Sequence, residues 1–182
     1  MKALTAWLVL TLGLAPALAE AHQRSWPGKR LAEAMPEAKK FTQKQVVLGT
    51  AQIEWIEKTL GSRIGTEDKN PTFYIGTGSD GRTMGVVFFL DVAGENGEVE
   101  MGVAMTPAAA VQRVVLYEHS EPSSVASKEF LSKLEGKKAA DPFRVGEDVK
   151  APAGAEKSAQ ALATGVRRAL LIAMAGLRLG TK

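Results

Sequence analysis

From Pro71 onward the spacing of apolar positions changes from about 3.6 to 2, and that change divides the chain. Before it, KRLAEAMPEAKKF has Leu31, Ala34 and Met35 on one helical face, with Pro36 either breaking the pattern or starting a new turn. A clearer helix follows, with Thr50 as its cap, Ile53, Ile56, Leu60 and Trp55 at helical spacing, and Gly61 as its stop. After the change, Thr72–Thr77 and Thr83–Val92 read as strands joined by the Gly78–Gly81 turn. Gly94-Glu95-Asn96-Gly97 is a second turn, leading into the alternating run Val99–Met105. Thr106-Pro107 turns the chain into a fourth strand over Ala110–Glu118, marked by Val111, Val114 and Leu116. Four strands joined by short turns predict an antiparallel sheet.

Helical spacing returns at Ser124–Leu134, where Val125, Phe130, Leu131 and Leu134 share a side and Gly136 closes the element. Residues 141–149 form a polar connection with Phe143 and Val145 turned inward. A last helix is expected from about Ala155 to Leu179. Its buried stripe is Leu162, Val166, Ala169, Leu170, Ala173 and Leu177, with Arg167, Arg168 and Arg178 in water. The aromatic residues Trp55, Phe73, Tyr74, Phe88 and Phe89 are assigned to the core. The fold class is α+β: about four antiparallel strands packed with helices, a helical N-terminal segment and a long C-terminal helix. The expected divisions are a signal peptide over 1–19, a helical segment over 20–70 and the main domain over 71–182.

The N-terminus changes the picture most. Lys2, the apolar run Leu4–Leu14 and Ala17-Leu18-Ala19 have the charge, length and small-x-small ending of an export signal. Cleavage is expected after Ala19, with Ala21 the nearby alternative, leaving about 160 residues, enough for one domain outside the cytoplasm. The net charge of +3 comes from 23 basic and 20 acidic residues that alternate along the chain, which argues against a nucleic-acid partner. Cysteine is absent, so disulfides, thiolate metal sites and cysteine-ligated clusters are excluded. A redox role has to rest on an organic cofactor or on non-thiolate ligands.

Several chemistries fail on spacing. Thr77–Gly85 lacks the Gly-Lys-Ser/Thr ending of a phosphate loop and reads as a hairpin. Asp80, Asp91 and Glu95 do not have calcium-loop spacing, and no Gly-x-Ser-x-Gly elbow serves His119. His119 itself admits proton transfer, metal ligation or a surface role.

The order VVLYEHSEP, KEFLSKLEGK, DPFRVGEDV, AGAEKSAQALATGVRRAL resembles the FMN-binding domain of the G subunit of the Rnf electron-transport complex. The C subunit of the sodium-pumping NADH:quinone reductase shares that domain. The resemblance spans roughly residues 30–176 and is closer still to small exported proteins carrying the domain alone. In that family a Thr in a segment like Asp-x-x-Ser/Thr-Gly-Ala-Thr carries FMN through a phosphoester. On this chain the Asp falls on Lys150, the Ser/Thr on Ala153 and the Thr on Glu156, while Gly154, Ala155 and the following Ser158 match. Glutamate has no hydroxyl to esterify, and its charge at a helix start repels a phosphate while stabilising the helix by about 0.3–1 kcal/mol.

The resemblance implies FMN, and Glu156 in the acceptor position implies that any FMN bound is held non-covalently, with Gly154, Ala155, Glu156 and Ser158 at the helix start. Lys150 and Lys157 flank the phosphate position, and His119 and Glu121, in the polar strand-end segment with Glu118, lie toward the flavin ring. Pro122-Ser123-Ser124 stand where the family has glycines. Tyr74 is a candidate to stack on the ring. The functions implied are extracytoplasmic electron transfer, as a carrier more than a stand-alone enzyme, or a flavin-free accessory module. The partner implied is a membrane or periplasmic redox protein or, for the accessory module, a membrane redox complex or another exported protein.

Overall fold

A glycine-punctuated meander forms the centre of the molecule, seen in a computed structural model that describes residues 27–180. The expected export signal and most of the polar leader lie outside the described residues. The strands are β1 (Lys40–Gln45), β2 (Thr72–Thr77), β3 (Thr83–Ala93), β4 (Glu98–Met105) and β5 (Val111–Leu116). They lie in the order β1-β2-β3-β4-β5, each antiparallel to its sequence neighbour. The helices are α1 (Gly28–Ala34), α2 (Thr50–Leu60), α3 (Ser123–Ala126), α4 (Lys128–Leu131) and α5 (Glu156–Leu177). The α+β class and the long C-terminal helix are as the sequence implies, with five strands in place of four.

The fifth strand, β1, comes from a segment read as helical. After Ala34 the chain turns at Pro36, and Lys39 N bonds to Thr77 O at 2.8 Å, starting the pairing of Lys40 with Thr77. Both faces of β1 are largely polar and wet, because it is an edge strand, so it carries no alternation to read.

Period 2 in β3 and β4 sends side chains to two separate cores. Phe88, Leu90, Met101 and Val103 meet Leu162, Val166, Ala169 and Leu170 of α5 on one face. Val87, Phe89 and Ala104 meet Leu31, Ala34 and Met35 of α1 on the other. With both faces covered, β4 is buried almost throughout instead of alternating. Gly165 of α5 sits over β3 so closely that an added Cβ would stand 2.5 Å from Val92 Cγ2. The bare backbone there sets the helix–sheet distance.

Three expectations are corrected. The helix expected over Ser124–Leu134 is broken at Ser127, whose extended backbone separates α3 from α4 and whose hydroxyl accepts from Phe130 N. Trp55 is not in the core: it is 42% exposed, because α2 buries only Ile56 fully. Arg168 is not in water. Its guanidinium lies 3.4 Å from the Asp68 carboxylate and donates to Asp91 O, drawn in by a buried acid distant in sequence.

Candidate functional site

The start of α5 is shaped by two small residues. Gly154 has φ +75, in the left-handed region that glycine adopts without strain, and a Cβ there would meet nothing within 4 Å. Conformation, not space, is what requires glycine. Ala155 occupies the N-cap position with its methyl buried, and its N–H reaches Pro152 O at 3.2 Å. An alanine has no oxygen to cap a helix, so the first-turn N–H groups receive no side-chain cap from it and present the positive end of a 22-residue helix.

Carboxylates approach this start from two sides. Glu156 bends back so that Oε1 accepts from Gly154 N at 3.1 Å. Ser158 is fully buried and its hydroxyl donates to Glu95 Oε2 at 3.1 Å. The other oxygen of Glu95 lies 3.7 Å from Lys157 Nζ. Glu95 belongs to the β3–β4 turn, which the sequence identifies as a turn without placing it against α5.

Glu121 holds that turn. Its Oε1 accepts from Asn96 N at 2.7 Å, and the side chain is only 6% exposed. Gly94 makes room for it, since any Cβ at that position would overlap the Glu121 carboxylate. Gly94 N closes the turn onto Gly97 O at 2.8 Å. Glu121 Oε2 is buried with no partner among the described residues.

The candidate residues therefore separate. Gly154, Ala155, Glu156, Lys157 and Ser158 form the start of α5, and Glu121 joins them through the β3–β4 turn. Lys150 is exposed and lines a shallow depression of about 450 Å³ with Val145, Val149, Ala151 and Glu156. His119 is exposed beyond β5, and among the described residues no bond joins it to this cluster. Neighbouring Glu118 pairs instead with Arg30 of α1 at 3.3 Å.

The loop beside the depression is firmly held. Asp148 accepts from Lys137 Nζ at 2.8 Å, Arg144 N at 2.7 Å and Phe143 N at 3.1 Å. Burial pushes its carboxyl up, but the Lys137 bond and the two backbone donors outweigh that and hold it below the usual aspartate value. Gln160 of α5 accepts from Val145 N and donates to Phe143 O, both at 2.9 Å. Phe143 is kept at φ +54, a left-handed conformation uncommon outside glycine, with its ring buried. The inward placement expected of Phe143 is found.

A larger cavity, about 1040 Å³, lies elsewhere, lined by Tyr74, Phe89, Asp91, Glu100 and Arg30 among others. None of the residues at the α5 start lines it. Tyr74 packs edge-on to Phe89 at 5.6 Å in the core under α1, on the sheet face opposite α5. It therefore cannot stack on a ring seated at the α5 start.

The residues fit an FMN phosphate in one respect and oppose it in another. Small residues and first-turn N–H groups are in place, which suits an anion. The acceptor position holds a carboxylate, and Ser158, the next hydroxyl, is buried and already bonded. A phosphoester does not fit; a reversibly held phosphate has donors and must contend with Glu156 and Glu95. Among the described residues no group of three or more His, Cys, Asp or Glu side chains could hold a metal ion.

No protein-family model matches the sequence, and no curated protein matches it. Among solved structures the chain is similar to the crystal structure of Shewanella oneidensis NqrC, with a TM-score of 0.56 and 16% sequence identity. The match covers 84% of this chain and 93% of that one. At that identity the likeness is one of architecture, and the architecture is NqrC-like.

Proposed function

We propose that this domain serves electron transfer outside the cytoplasm and binds FMN reversibly, with the phosphate at the start of α5. One observation carries the reading. The chain has the fold of NqrC, an FMN-binding subunit of the sodium-translocating NADH:quinone reductase, while Glu156 stands where the resemblance expects the ester-forming hydroxyl. Gly154, Ala155 and the first-turn N–H groups hold the phosphate, Lys150 and Lys157 flank it, and Val145, Val149 and Ala151 offer an apolar wall. The bound cofactor supplies the redox chemistry; the protein orients it and excludes water. Lys2, Leu4–Leu14 and Ala17–Ala19 support export, and no described helix is long and apolar enough to cross a membrane. A membrane-bound or periplasmic redox protein is the partner this reading requires.

The second reading is a flavin-free accessory module, favoured by the bonds that Glu156 and Glu95 already make with Gly154 and Ser158. One experiment separates the two. The protein is produced in a host supplied with a flavin transferase, and its visible spectrum is taken before and after acid precipitation. Yellow colour released by acid, or taken up from added FMN, supports reversible binding. Colour retained in the pellet overturns it, and a colourless protein that takes up no FMN leaves the accessory reading standing.

A further inference from the structure

We propose that the large cavity at the start of α1 is the seat of the chain's own leader, residues 20–26, with the Trp26 indole against its aromatic wall and Arg24 facing its acids. The proposal is independent of the flavin reading. The cavity, about 1040 Å³, lies where one strand stops short of its neighbour. Phe73 pairs with Phe88 and β2 begins at Thr72, while β3 runs on to Ala93. Past the end of that pairing, Leu90 and Asp91 share the cavity wall with Gly65 and Asn70 of the loop before β2.

Pro27, from which α1 begins, is itself part of the wall, so the leader joins the fold at the cavity. That junction is fixed. Pro27 O accepts from Leu31 N at 2.9 Å, and Tyr117 Oη donates to Arg30 O at 2.8 Å. The Arg30 guanidinium pairs with Glu100 and lies 4.9 Å from the centre of the Tyr117 ring. Trp26 is one peptide link from this wall, and seven residues extend no farther than about 25 Å.

Ring contact and charge both suit this occupant. Tyr74 and Phe89 line the cavity, and an indole buries roughly 150–250 Å² and packs well on other rings. Among the described residues the lining has four acids, Glu67, Asp68, Asp91 and Glu100, against two bases, Arg30 and Arg168. Both bases are engaged, Arg168 with Asp68 at 3.4 Å and Arg30 with Glu100. The leader brings Arg24 and His22 against a single acid, Glu20, and cleavage after Ala19 adds an amino-terminal charge. An acidic, aromatic cavity matches a basic segment carrying tryptophan, and the covalent link at Pro27 gives that segment an advantage over any free competitor.

The test uses the chain from Glu20 onward with Trp55→Phe, an exposed position, so that Trp26 is the one tryptophan. In the folded protein Trp26 should emit to the blue of its urea-unfolded state and be quenched by acrylamide several-fold less. Arg24→Glu should move the emission back to the red and raise the quenching, and high salt should act in the same direction. Circular dichroism checks that this variant keeps its fold, so that lost protection means lost docking. Position is read separately: the chain has no cysteine, so a nitroxide can be placed on Gln45→Cys, an exposed residue of the cavity wall. It should broaden the Trp26 indole N–H resonance. Equal emission and quenching in the folded and unfolded protein overturn the proposal, as does an indole resonance that the nitroxide leaves sharp. Protection indifferent to both Arg24→Glu and salt overturns the match to the acidic lining. Protection that appears only as protein concentration rises assigns the seat to the leader of a second copy and overturns it too.

Discussion

The Arg168 guanidinium of α5 lies 3.4 Å from the Asp68 carboxylate, tying the central helix to the loop that precedes β2. Burial raises the Asp68 carboxyl above the usual aspartate value; the Arg168 charge and the Gly65 N–H pull it down without cancelling that rise. The folded protein therefore holds this proton more tightly than the unfolded chain does. Stability from this group is greatest below the ordinary aspartate value of about 4 and declines as pH rises through the raised folded value. Urea unfolding of the parent and Asp68→Asn between pH 4 and 8 should show the difference moving against the parent as pH increases. A pH-independent difference would contradict this.

Asp148 should behave in the opposite sense. Its folded carboxyl is held below the ordinary value, so its contribution is complete above about pH 4 and is lost as pH falls through the lower folded value. Asp148→Asn keeps the shape but loses the charge facing Lys137. We expect it to cost about 1.5–3 kcal/mol at neutral pH. The penalty should fade in acid, and thermal unfolding at pH 7 and pH 3 checks both parts.

For Glu121, charge and hydrogen bonding can be separated. Glu121→Ala leaves Asn96 N without its acceptor under the turn and should cost about 1–3 kcal/mol. Glu121→Gln retains an acceptor and removes a buried charge, so it should be neutral or stabilising. Denaturant midpoints of the two variants decide it; equal losses would mean that the charge itself is required.

Close helix–sheet contact at Gly165 makes a steric prediction. Gly165→Leu has to push α5 away from Val92 and should cost about 1–3 kcal/mol or more through overpacking. Gly165→Ala should lose less, since alanine's helix preference of about 1 kcal/mol offsets part of the clash. Similar melting temperatures for the leucine variant and the parent would show that the helix can move freely.

Much of this was legible where local chemistry decides the outcome. Strands β2 to β5 follow from alternation and from glycine-rich turns, and α5 follows from its apolar stripe and the small residues before it. Strand β1 was not, because KFTQKQ lies at the sheet edge with almost every side chain in water and so shows no period. Ser127 broke a helix through a side-chain bond that competes with the helical backbone. At the candidate site the run Gly154–Ser158 could be located from sequence. Glu95 could not, since a turn glutamate gives no sign of a serine 63 residues away. Arg168 likewise looks like any wet helical arginine until Asp68 is placed beside it.

Each strand of the sheet bonds to the strand made just before it, so the meander can grow in the order in which residues emerge from the ribosome. Its principal cover, α5, follows all five strands in the chain and is therefore synthesised after them. Until then Phe88, Leu90, Met101 and Val103 have no α5 to shield them, a nascent state prone to self-association. A holding chaperone that keeps the polypeptide unfolded until α5 has emerged would protect it through this interval.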